Sequence, residues 1–108
     1  MSDTKSKINP GLLQDINHII HTPIRLMIMM YLYTVESVDY VFLRRMTNLT
    51  WGSLATHINK LEEANYIEVD KGYRGKKPHS MIRMTEQGRN AFKEYKDRME
   101  GVFSSIED

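Results

Sequence analysis

Apolar residues recur at helical spacing in five stretches of the chain and at strand spacing in two, with polar caps and turns between them. Leu12, Leu13, Ile16, Ile19 and Ile20 predict a short first helix over residues 11–20, following Pro10. Thr22 and Pro23 then reset the chain. Thr22 offers a cap oxygen to an orphan N–H, and Pro23 suits the first helical position, where its missing donor is not needed. A second helix to about Val35 follows, an apolar run whose only charge is Arg25. Val38 can add a very short strand. Asp39 caps a third helix over residues 40–47, with Phe42 or Leu43, Met46 and Leu49 as its stripe.

The break before the fourth helix is short and well specified. Thr50 is a good cap, and Leu49 before it can close on Leu54 as a hydrophobic staple. Residues 51–64 place Leu54, Ile58 and Leu61 on one side and Ser53, Thr56, His57 and Lys60 on the other. Two helices joined so tightly must cross steeply, which is the helix-turn-helix arrangement. Gly52, in the first turn, points to a close approach at the helix start or to relieved crowding beside Trp51.

Ile67 and Val69 alternate with Glu68 and Asp70, predicting a strand over residues 66–71; Ile82 and Met84 predict its partner over residues 80–84. Between them Gly72, Gly75 and Pro78 punctuate the chain, so residues 72–78 are expected to continue neither strand and to protrude as a loop. Thr85 caps a last helix carrying Phe92, Tyr95, Met99, Val102 or Phe103, and Ile106. That stripe outruns the core of the domain and predicts a dimer seam; the alternative is a helix folded back on its own protomer.

The 108 residues suit one domain. The apolar run over residues 24–35 falls short of the roughly 20 residues that cross a bilayer, so no membrane contact is expected. Residues 1–10 are polar, without the apolar core of a signal peptide, and the chain has no cysteine, which removes disulfides and thiolate chemistry; a cytoplasmic location is expected. Net charge is +1, but its distribution is uneven. Lys71, Arg74, Lys76, Lys77 and Arg83 fall in residues 71–85 with no acid, leaving ten bases against fourteen acids elsewhere.

No Ser-His-Asp, Cys-His or paired-carboxylate pattern is legible, so no enzyme activity is expected. Residues 72–77 do not make a phosphate loop, because no Ser or Thr follows the lysine and a strand comes next. Asp15, His18 and His21 could sit near one another as metal ligands, but His21 falls in the cap before Pro23, and no metal or cofactor is expected. Met27, Met29 and Met30 fit either plain packing or the wall of a ligand cavity.

Three blocks in fixed order, HTPIRLMIMMYL, LTWGSLATHINKLEEANYIEV and KGYRGKKPHSMIRMTEQGRNAF, resemble the winged-helix domain of MarR/ArsR-type transcriptional regulators over about residues 12–95. Asn65 departs from the usual glycine at a helix end where a left-handed backbone is expected, which asparagine tolerates. The resemblance implies an α+β fold, a winged helix-turn-helix with a two- or three-stranded antiparallel wing sheet and extra N- and C-terminal helices. It implies a flexible segment 1–10, a DNA-binding domain 11–85 and a dimerising helix 86–108, with no length left for a separate effector domain.

On that resemblance the helix over residues 51–64 is the recognition helix, with Trp51, Ser53, Thr56, His57 and Lys60 toward the major groove. Arg74, Lys76 and Lys77 lie along phosphates or in the minor groove, Lys71 and Arg83 support them, and Arg44 and Arg45 touch the backbone, unless one pairs with an acid. The implied protein is a homodimeric, sequence-specific regulator of double-stranded DNA, a repressor, joined through its C-terminal and first helices. Its effector is not assigned. The alternatives are a winged-helix module for protein partners and a metal- or ligand-responsive regulator.

Overall fold

A computed structural model describes residues 10–106. After a 3₁₀ turn, Pro10–Leu13, the elements are α1 (Pro23–Thr34), β1 (Val38–Asp39), α2 (Tyr40–Thr47), α3 (Trp51–Glu63), β2 (Ile67–Arg74), β3 (Lys77–Met84) and α4 (Glu86–Ser104). The expected flexible segment lies almost wholly outside the described residues.

Every helix start follows its cap. The side-chain oxygens of Thr22, Asp39, Thr50 and Thr85 accept from the backbone N–H of Arg25, Val41, Ser53 and Gly88, satisfying donors that have no partner inside the helix. The end of α3 is equally well specified. Asn65 is left-handed (φ 62°), its N–H donates to Glu62 O at 2.9 Å, and Tyr66 N–H donates to Leu61 O at 3.0 Å. These two bonds make a Schellman closure, with asparagine holding the position that glycine usually takes. Asn48, also left-handed (φ 56°), ends α2 by donating to Arg44 O.

The first predicted helix is absent as such. Residues 14–22 form turns because the Asn17 carboxamide oxygen accepts from Ile19 N–H at 2.9 Å and Ile20 N–H at 3.1 Å, offering the backbone a local alternative to the helical ladder. Ile16 and Ile20 are nevertheless buried, so their spacing signals burial without α-helix.

The sheet has strand order β1-β3-β2, all antiparallel. Ile67 pairs with Met84 and Val69 with Ile82, and this face closes over the core of Ile28, Met29, Leu32, Leu43, Leu54, Ile58 and Leu61. Beyond Val69 the pairing continues while burial stops on β2 and fades along β3 from Met81 to Pro78, and that outer half of the hairpin is the wing. The expectation of a loop over residues 72–78 is corrected: β2 and β3 run to Arg74 and Lys77 around a two-residue turn, Gly75-Lys76. Gly75 has φ +65° and Lys76 is not in the left-handed region, the type II′ arrangement, which calls for glycine first. Arg74 and Lys77 close the turn as a hydrogen-bonded pair, so the next pair, Tyr73 and Pro78, is non-hydrogen-bonded and the missing Pro78 donor costs nothing.

Arg25 is the buried charge of α1, 8 % exposed. Its Nε donates to Ile19 O, Nη2 to His18 O at 3.4 Å, and Nη1 to His57 Nδ1 at 3.0 Å, so one side chain ties the N-terminal turns to α3. Thr85 Oγ1 donates to Asn65 O at 2.6 Å and Thr85 N–H to Tyr66 O at 3.0 Å, docking the start of α4 on the α3–β2 turn.

Candidate nucleic-acid interface

The helix-turn-helix is α2–α3. Burial of Leu54, Ile58 and Leu61 leaves Trp51, Ser53, Thr56 and Lys60 on the exposed side of α3. Thr56 Oγ1 donates back to Gly52 O at 3.1 Å, which leaves its oxygen lone pairs for an outside donor. His57 is placed differently from the other four. It is half-buried, bonded to Arg25, and its pKa is lowered by burial first and then by the Arg25 and Lys60 charges. It stands at the margin of the polar face rather than fully on it.

Trp51, half-exposed at the mouth of α3, stacks on Tyr40 at 6.2 Å between ring centroids, and the Arg44 guanidinium lies 5.2 Å from its ring. Arg44 Nε also donates to Leu49 O at 3.0 Å, bracing the turn of the helix-turn-helix; its partner is a carbonyl and a ring, not the acid considered from sequence. Arg45 is exposed. A Cβ at Gly52 would meet nothing within 4 Å beyond its chain neighbours and its own helix, so no close approach of another part of the protein explains that glycine.

The wing divides its charges between two faces. Register puts Lys71 and Tyr73 on the face continuous with the core side, and Arg74 and Lys77 on the other, with Lys76 at the turn. Arg83 is not a free cation: it bonds Glu68 at 2.7 Å and lies 3.6 Å from Asp70 within the wing itself. Among the described residues no acid pairs with Lys71, Arg74, Lys76 or Lys77, and the open positive charge is concentrated toward the tip. The β3 strand of the wing flanks the start of α3 across a cleft of about 310 Å³ lined by Tyr40, Val41, Trp51, Pro78, His79 and Ser80. Neither Tyr40 under Trp51 nor Tyr73, 75 % exposed on the wing, is singled out by the sequence, since only the packing reveals one and only the strand extension the other.

A helix-turn-helix whose second helix shows a polar face beside a cationic hairpin is the geometry of a nucleic-acid reader. A family model described as a winged helix DNA-binding domain matches residues 24–103. The chain belongs to that family. An uncharacterized protein of Methanocaldococcus jannaschii is 35 % identical over 77 residues, covering 71 % of this chain and 84 % of that one. Among solved structures, a transcriptional regulator homologue from Pyrococcus horikoshii superposes with a TM-score of 0.80 at 22 % identity, covering 91 % of this winged helix chain and 95 % of the other. A protein of the MarR family from Porphyromonas gingivalis gives a TM-score of 0.61 at 13 % identity, over 97 % and 100 % of the two chains. The fold is therefore the winged helix-turn-helix that the three sequence blocks imply. Among the described residues no group of three or more His, Asp or Glu could hold a metal: His21 Nδ1 instead meets Tyr95 Oη at 2.7 Å. Nor is any helix long and apolar enough to cross a membrane.

Proposed function

We propose that this winged helix protein is a homodimeric, sequence-specific transcriptional regulator that acts as a repressor, with α3 in the major groove and the wing tip on the backbone or in the minor groove. The observation that carries the reading is the acid-free cationic tip beside the exposed Ser53, Thr56 and Lys60 of α3, one surface for phosphates and one for base edges. Repression is the expected mode because a bound dimer excludes other proteins from the duplex it covers.

The dimer reading keeps the C-terminal helix, α4, but replaces the expected first helix over residues 11–20, which does not form as such, with α1. Leu26, Met30, Tyr33, Phe92, Met99 and Phe103 line an apolar groove of about 440 Å³ along these helices, and Phe103 and Ile106 are 63 % and 49 % exposed. A second copy of the stripe fits that groove by the same chemistry, as a two-fold contact requires. The test is a mobility-shift series of the full chain on its own upstream DNA. Retardation of a specific fragment at 50 mM salt is expected, and none up to tens of micromolar protein overturns the proposal and favours a module for protein partners.

A further inference from the structure

His57 lies on α3 between the buried stripe and the exposed polar face, and its Nδ1 is 3.0 Å from Arg25 Nη1. A guanidinium has donors and no acceptor, so in this contact Nδ1 must present its lone pair. A neutral imidazole with a bare Nδ1 carries its hydrogen on Nε2. The imidazolium is disfavoured here, since it would set N–H against N–H; burial and the charges of Arg25 and Lys60 act in the same direction.

Arg25 is itself held by a chain of local bonds. Its other nitrogens donate to the carbonyls of Ile19 and His18, and the Ile19 backbone is fixed by the Asn17 side chain. An arginine buried among such partners cannot swing away without giving up all three of these hydrogen bonds. The tautomer of a groove-side histidine is thus imposed from inside the protein.

Resting on the DNA-binding reading above, we propose that Arg25 is a positioning residue for base recognition: it locks His57 as the Nε2–H donor, and His57 then selects guanine and rejects cytosine at one position of each half-site. In the major groove guanine offers two acceptors, N7 and O6, whereas cytosine offers only its N4 amino donor, which cannot face another donor. An unlocked imidazole could turn its lone pair outward and accept from cytosine, so the lock converts an ambiguous side chain into a one-way reader.

The first test needs no variant and no DNA. Nitrogen-15 NMR of the His57 ring in the full chain at neutral pH should show a bare Nδ1 and a protonated Nε2; the opposite tautomer or an imidazolium overturns the proposal. Arg25→Met should leave a tautomer mixture, and Arg25→Lys, which keeps a donor, should restore the wild-type signature.

Duplexes selected from a random-sequence pool give the second test. The wild type should show one position per half-site at which guanine is preferred to cytosine, and His57→Ala should lower that preference about tenfold while leaving the other positions intact. Should Arg25→Met fail to fold, His57→Ala and the wild-type spectrum still decide. Selection with an unchanged guanine preference in His57→Ala defeats this proposal alone. If the wild type selects no DNA at all, the DNA-binding reading fails and this proposal fails with it.

Discussion

A single added carbon at Gly88 would stand 2.0 Å from Tyr66 O and within 3 Å of two other Tyr66 backbone atoms. No side-chain rotation relieves a backbone clash, so α4 would have to lift from the α3–β2 turn. Gly88→Ala should lower the urea midpoint by an amount worth about 1–3 kcal/mol or more. Ile58→Ala, at a fully packed position of α3, should cost about 2–5 kcal/mol in the same assay. His57 has a pH signature. Its folded-state pKa is depressed by burial, Arg25 and Lys60, so the unfolded chain takes up the proton first, near its ordinary value of about 6.5. Stability linked to His57 is therefore full above that value and is lost as pH falls toward the folded one. Between about pH 7 and pH 5 the urea midpoint should fall more steeply in the wild type than in His57→Gln; equal slopes would mean that His57 is not held neutral. The Asn65 turn was legible as a left-handed position, whereas Gly88 was visible only as one letter of a resemblance.

At the scale of elements, the wing is two continuous strands whose β2 side and tip are exposed, so the residues there are free to be chosen for charge, while His79, Ser80 and Met81 of β3 are partly buried. Lys76 and Lys77 are exposed and without an acid partner among the described residues, and reversing both to glutamate should abolish binding to every DNA sequence while moving the melting temperature little. Retained binding would show that the wing does not touch the duplex. If a dimer makes six to ten phosphate contacts, affinity should fall by about 10³ to 10⁵ between 50 and 200 mM salt. Composition made the local charge obvious but not its division between two faces, nor that Arg83 is neutralised by Glu68 and Asp70. Both follow from strand register, which pairs residues fifteen positions apart in the case of Arg83 and Glu68.

For the whole molecule, the exposed apolar end of α4 is the feature a solitary protomer leaves uncovered. Phe103→Glu should shift the sedimenting species from dimer toward monomer and weaken DNA binding, because a single half-site then carries the affinity. A wild type that sediments as a monomer at micromolar concentration would remove the seam. With the dimer intact, a footprint should show two half-sites about 34 to 36 Å apart on a pseudo-palindrome.

What the sequence determined by itself was local. Thr22, Asp39, Thr50 and Thr85 mark four helix starts because capping acts within three residues. Leu54, Ile58 and Leu61 mark the buried side of α3 because helical period is fixed by the backbone. Tertiary structure decided what depends on distant partners. Residues 11–20 have a helical apolar period, yet they turn instead, held by Asn17, which also reaches across 49 residues to the Tyr66 hydroxyl. His57 resembles any polar residue on a recognition helix until Arg25, 32 positions earlier, is brought against its Nδ1. A pattern of side chains can state which face is buried; which atom meets which across the core is set only when the elements close on one another.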